Sequence, residues 1–138
     1  MEQHRELQII ENQNQYNEWV KYNVIPQKQP GLVAIGIKVN LGDFSSEKAR
    51  ALGDLIRDYA ANELRFTLRQ NILIRHVKKE RLPLFYNKLK ALGFTAVGYN
   101  NFGDITACPG TDTCKLGIAS SRGLAGELRK QLALKSIE

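Results

Sequence analysis

The chain has 138 residues, 43% hydrophobic and 25% charged, with a formal net charge of +6 at neutral pH. These are ordinary values for a folded soluble protein of one domain, or one domain plus part of another. No apolar run approaches the roughly 20 residues that span a bilayer, and the start carries no apolar signal segment, so a cytoplasmic location is expected.

Residues 1–30 are rich in Glu, Gln and Asn, with a short helix expected around residues 14–22 and closed off by Pro26 and Pro30. The segment reads as an extended arm or linker whose apolar members, Trp19, Val20 and Ile25, lie against something else. From Gly31 the pattern becomes strict alternation, with Val33, Ile35, Ile37 and Val39 on one face of a strand and Ala34, Gly36, Lys38 and Asn40 on the other. Gly42-Asp43 turns the chain, Ser45 or Ser46 offers an N-cap, and Ala49, Leu52, Leu55, Ile56 and Tyr59 recur at helical spacing.

A second alternation sets Leu64, Phe66 and Leu68 inward against Glu63, Arg65, Thr67 and Arg69 outward, and Gln70-Asn71 then turns the chain into an apolar strand over residues 72–77. The next helix is expected over residues 82–92, with Pro83 in its first turn, Gly93 as its C′ cap and a stripe of Leu82, Phe85, Tyr86, Leu89 and Leu92. A last short strand is expected over residues 95–99. The order βαββαβ defines an α+β, ferredoxin-like sandwich in which both helices cover one sheet face and the other stays open.

That open face would carry Lys38, Arg65, Thr67 and Arg69, with Asn71 and Arg75 in reach, around a middle kept low by Ala34 and Gly36. Four residues of strand put Arg65 and Arg69 about 13 Å apart, suited to opposite sides of a flat ligand. Guanidinium forks match carboxylates and phosphates. Residues 63–93 hold eight cationic side chains against Glu63 and Glu80, an excess equal to the net charge of the whole chain, so an anionic partner is implied. The lysines of the second helix read as solvated surface.

Beyond Asp104 come the only two cysteines, Cys108 and Cys114, on either side of a Pro109-Gly110 turn. Such a loop can fold back until both sulfurs meet one object. Cys114 is expected at the start of a helix running from Lys115 to about Leu134, where backbone N–H groups would favour its thiolate. The pair suits a soft metal or an iron–sulfur cluster; a disulfide, two small buried side chains, or a thiol switch with Lys115 as its one nearby cation stand beside that reading. A self-contained zinc site does not fit, because the only histidines are His4 and His76. Gly117, Gly123 and Gly126 in the last helix suggest either close packing against a bulky object or a segment that is only partly helical. The chain stops at Ser136-Ile137-Glu138 without a cap, as a truncated element would.

Two motifs now bear comparison with a known family. Arg65-Phe66-Thr67-Leu68-Arg69-Gln70-Asn71-Ile72 resembles the R-x-T-x-R-Q-N segment of siroheme-dependent nitrite and sulfite reductases, and Cys108-Pro109-Gly110-Thr111-Asp112-Thr113-Cys114 resembles their C-x5-C cluster-binding loop. The resemblance runs from about Gly31 to Leu132. It implies an N-terminal arm (1–30), a ferredoxin-like half-domain (31–99) and the start of a siroheme and 4Fe-4S domain (100–138). It implies that Cys108 and Cys114 ligate the cluster, that Arg65 and Arg69 bind siroheme carboxylates or the substrate anion, and that Thr67, Gln70 and Asn71 support them by hydrogen bonding.

The implied parent reduces nitrite to ammonia or sulfite to sulfide by six electrons, drawn from a donor such as ferredoxin or a flavoprotein. The family completes its cluster with a later C-x3-C, uses a further lysine and arginine pair for the substrate anion, and normally contains two such halves. None of these is found here, so the expectation is an excised piece of a larger reductase, inactive alone. The rival reading is a ferredoxin-like module binding nucleic acid through the basic face. RNA readers of this topology need outward aromatic side chains, whereas the outward residues here are Arg and Thr and Phe66 is expected inward.

Overall fold

The computed structural model describes residues 9–99 and 101–135; His4 and Ser136-Ile137-Glu138 lie outside them. Its elements are α1 (Gln13–Asn23), β1 (Val24–Pro26), β2 (Leu32–Ile37), α2 (Ser46–Tyr59), β3 (Leu64–Phe66), β4 (Ile72–Lys78), α3 (Leu82–Ala91) and α4 (Ser121–Lys135), with 3-10 turns at Asn40–Gly42, Lys79–Arg81 and Gly110–Asp112. The four strands form one antiparallel sheet in the order β1-β2-β4-β3. No helix among the described residues is long and apolar enough to cross a membrane.

The alternation of β2 and β4 places Val33, Ile35, Ile37, Ile72, Ile74 and Val77 in one core with Leu52, Leu55 and Ile56 of α2 and Leu82, Phe85 and Leu89 of α3. Helix α2 starts where Ser45 Oγ accepts the Lys48 N–H at 3.3 Å, satisfying one of the free donors of its first turn. Helix α3 ends at Gly93, whose φ of +73° lets its N–H reach the Lys90 carbonyl at 3.0 Å while the Phe94 N–H reaches that of Leu89 at 2.8 Å. The α+β, ferredoxin-like class therefore stands, but its fourth strand comes from a different place.

Residues 95–99 form no strand; the edge beside β2 is taken by β1, from the segment that reads as an arm. The physical reason is loop length. Val24–Pro26 is one tight turn from Leu32, closed by the Gln27 N–H to the Leu32 carbonyl at 3.1 Å and by Gly31 at φ +76°, so its pairing requires little loop closure. The preceding helix adds Trp19, 0% exposed, whose ring centroid lies 5.2 Å from that of Tyr86. The Asn23 side-chain amide then donates to the carbonyls of Gly36 and Ala96 at 3.0 and 3.2 Å, so residue 96 is tied to the sheet through a side chain.

Two further expectations change. Strand β3 stops at Phe66, and Leu64, Phe66 and Leu68 are 37%, 77% and 103% exposed. Leu64 and Phe66 pair with Ile74 and Ile72, so they do point to the helix side, but an edge strand leaves them uncovered. The second sheet face is not open either. Ala34 is 5% exposed, and Tyr99 lies flat on Gly36: a Cβ there would stand 2.6 Å from the ring.

Candidate functional site

Arg65 and Phe66 of the R-F-T-L-R-Q-N segment close β3, and the rest of it is the hairpin turn. The Thr67 N–H donates to the Asn71 carbonyl at 2.9 Å and the Gln70 N–H to the Thr67 carbonyl at 3.0 Å, with Gln70 at φ +60°. Arg65 is paired with Leu73 on the face away from the helices, and Arg69 sits in the turn, so the spacing expected along one strand does not apply. Both arginines are exposed.

The three polar residues of the motif turn inward. Thr67 Oγ1 accepts the Asn71 N–H at 3.2 Å. Asn71, 1% exposed, accepts the Val39 N–H at 2.9 Å on Oδ1 and donates from Nδ2 to Asp104 Oδ1 at 2.7 Å. Gln70 Nε2 donates to the Ala107 carbonyl at 2.9 Å. One hairpin turn thereby holds both ends of residues 104–107, the lead into Cys108. Asp104, 6% exposed, also lies 3.8 Å from Arg69 Nη1, and Arg129 of α4 donates to the Ile105 carbonyl at 2.8 Å.

Cys108 and Cys114 are both free thiols and both exposed. The loop between them is wound tightly: the Cys114 N–H donates to the Gly110 carbonyl at 2.9 Å, and the Gly117 N–H to that of Cys114 at 3.0 Å. Gly110, at φ +58°, leaves no room for a side chain, since a Cβ would stand 2.9 Å from Ser121 Oγ and 3.0 Å from the Ala119 carbonyl. Cys114 does not begin a helix; α4 starts only at Ser121. It is Cys108 that meets that helix start, with its Sγ 3.3 Å from Ser121 Oγ. Hydrogen bonding from the Ser121 hydroxyl, and then from the Gly110 backbone, holds the Cys108 thiol below the ordinary cysteine range. Arg122 in the first turn of α4 pairs with Asp43 and lies 3.7 Å from Asp112, which clamps the cysteine loop to the turn after β2.

Two exposed thiols on one tight loop suit half the ligand set of a cluster. Among the described residues no third His, Cys, Asp or Glu joins them as a metal-holding group. The basic focus is looser than the charge count suggests. Arg75 is engaged by Glu63 at 2.5 Å, Arg81 and Lys88 lie over the Tyr59 ring, and Lys90 pairs with Glu11 at 3.2 Å. Sequence reasoning missed Asp104, Ser121, Arg122 and Arg129 as site builders. Asp104 is the nearest to a visible signal, an acid just ahead of the cysteines in a basic chain.

A four-stranded antiparallel sheet with helices on one face and a two-cysteine loop bound to its hairpin defines a ferredoxin-like half-domain with a cysteine loop attached. The description "Nitrite/Sulfite reductase ferredoxin-like half domain" matches residues 25–92. The chain is 25% identical over 118 residues to ferredoxin–nitrite reductase of Synechococcus elongatus, covering 83% of this chain and 23% of that protein. It is 30% identical over 107 residues to sulfite reductase (ferredoxin) 2 of Mycolicibacterium paratuberculosis, covering 75% and 19%. Among solved structures, the NirA protein of Mycobacterium tuberculosis superposes with a TM-score of 0.68 at 29% identity, covering 84% of this chain and 21% of that one. The chain belongs to the nitrite/sulfite reductase family. It spans about a fifth of the length of these relatives.

Proposed function

We propose that the chain is part of a reductase that converts nitrite to ammonia or sulfite to sulfide by six electrons, and that it contributes Cys108 and Cys114 to a 4Fe-4S cluster. The observation that carries this is the docking of the cysteine loop on the R-F-T-L-R-Q-N hairpin through Gln70 to Ala107 and Asn71 to Asp104. Both motifs named by the resemblance thus belong to one rigid piece. When bound, siroheme with the cluster supplies the multi-electron chemistry. Arg65 and Arg69, exposed on the hairpin, hold carboxylates of siroheme or the substrate anion by charge-assisted contacts. Thr67, Gln70 and Asn71 act as positioning residues, since Thr67 Oγ1, Gln70 Nε2 and both ends of the Asn71 amide are bonded within the protein. Cys108, favoured as thiolate by Ser121, is prepared to lose its proton to a metal.

Relatives named as ferredoxin–nitrite reductase and sulfite reductase (ferredoxin) favour ferredoxin over a flavoprotein as the donor. They include chloroplastic as well as bacterial enzymes, so the proposed setting is a compartment supplied with reduced ferredoxin, cytoplasm or plastid. No observation favours the nucleic-acid reading. Phe66 is exposed but shares a sheet face with Ile72, opposite Arg65, so no aromatic and arginine platform forms.

The test uses a full-length protein that contains this chain. Cys108→Ser is expected to remove iron and acid-labile sulfide and abolish turnover with the fold retained, and Arg69→Ala to lower siroheme content or substrate affinity ten- to a hundredfold, the effect of losing about 1.5–3 kcal/mol. Full cluster content and unchanged kinetics in both variants would overturn the proposal.

A further inference from the structure

A cleft of about 460 Å³ lies between the turn after β2, the start of α2, the end of α3 and α4. It is lined by neither cysteine and by none of the hairpin motif residues. Three cations stand around it: Lys38, Lys48 and Arg129. The one acidic side chain in its wall, Asp43, is already paired with Arg122. Arg129 spends Nη2 on the Ile105 carbonyl, while its Nε is buried with no acceptor in the protein. A buried charged donor without an acceptor is costly and uncommon. Lys38 is pushed below the ordinary lysine range first by burial and then by Arg129, with Asp104 only partly opposing, so an added anion would relieve the repulsion. The rest of the wall is apolar, Val39, Phe44, Phe94 and Ala96, with Lys48 Nζ held 5.5 Å from the centre of the Phe94 ring.

We propose that this cleft binds a small organic anion, a carboxylate or phosphate on an apolar body, whose charged end faces the Lys38, Lys48 and Arg129 side chains while the body lies on Val39, Phe44 and Phe94. The three cations attract the charged end, and the apolar walls discriminate against a bare inorganic ion. Lys48, held over Phe94, adds attraction. The cleft holds neither cysteine and shares with the cysteine region the tethering residues Asp43 and Arg129.

The test is to titrate the 138-residue chain, labelled for amide NMR, with phenyl phosphate, benzoate and inorganic phosphate in chloride buffer. Saturable shifts are expected at Val39, Ser45, Lys48 and Phe94, with the better of the two organic anions binding at least tenfold tighter than inorganic phosphate. Arg129→Gln should weaken that binding tenfold or more and Lys48→Gln severalfold, whereas Lys79→Gln, on the opposite flank of the sheet sequence, should leave it unchanged. If Arg129→Gln does not fold, Lys48→Gln and Lys38→Met decide. Shifts that fail to saturate, that spread equally to Lys79 and Lys88, or that survive all the cleft variants would overturn the site.

Discussion

Residues 9–99 and residues 101–135 are held by different forces. In the first region Trp19, Ile35, Ile37, Ile74, Val77, Phe85 and Leu89 are all 0% exposed, and burying each such side chain contributes roughly 1.5–3 kcal/mol. In the second, Leu116, Ile118 and Leu124 are 90%, 101% and 63% exposed, and among the described residues Ala125 is the buried apolar one. That region is fastened by polar tethers: Gln70 to Ala107, Asn71 to Asp104, Arg129 to Ile105 and Arg122 to Asp43. A neutral hydrogen bond such as Gln70 to Ala107 contributes about 0.5–1.5 kcal/mol net. The difference separates two tasks. The sheet and its helices supply stability, while the tethers supply position, setting where the two thiols stand without adding much to the fold's free energy.

The sharpest way to break that comparison is to truncate one side chain in each region. Trp19→Ala removes a fully buried ring and is expected to cost about 3–5 kcal/mol in urea unfolding followed by circular dichroism. Ile118→Ala should stay within about 0.5 kcal/mol of the parent chain. Comparable losses would mean that the cysteine region has a core of its own.

A smaller effect is expected at the joint. Asn71→Ala deprives the buried Val39 N–H of its acceptor and cuts the link to Asp104, for about 1–3 kcal/mol. Amide exchange should quicken at Val39 and across residues 104–107 more than at Ile35, and uniform quickening would place Asn71 in the core rather than at the tether.

The smallest effect concerns pH. Because the Cys108 pKa is depressed in the folded chain, ionisation favours the fold above the unfolded thiol pKa, and that contribution fades as pH falls through the folded value. Its alkylation by iodoacetamide should reach half-maximum below the pH of an ordinary cysteine. Ser121→Ala, which removes the main cause, should move that midpoint up. An unmoved midpoint would show that Ser121 does not tune the thiol.

The sequence by itself determined the periodic elements. The alternation through Val33, Ile35 and Ile37, the helical stripe of Leu52, Leu55 and Ile56, the Ser45 cap and the Gly93 C′ position are local patterns, and each recurs in the fold because the covering layers need one apolar face. The two motifs were legible too, as residue types at fixed spacing. What only the tertiary structure decided is partnership between distant segments. Which segment fills the sheet edge depended on a short loop favouring Val24–Pro26 over residues 95–99, and whether Phe66 is covered depended on its place at that sheet's other edge. That Asn71 grips Asp104, or that Cys108 rather than Cys114 meets a helix start, rests on contacts 33 and 13 residues apart, where no local periodicity carries information. Polar side chains such as Gln70 and Asn71 look alike in sequence whether they face a ligand or a backbone carbonyl, because their donors and acceptors are satisfied equally by either.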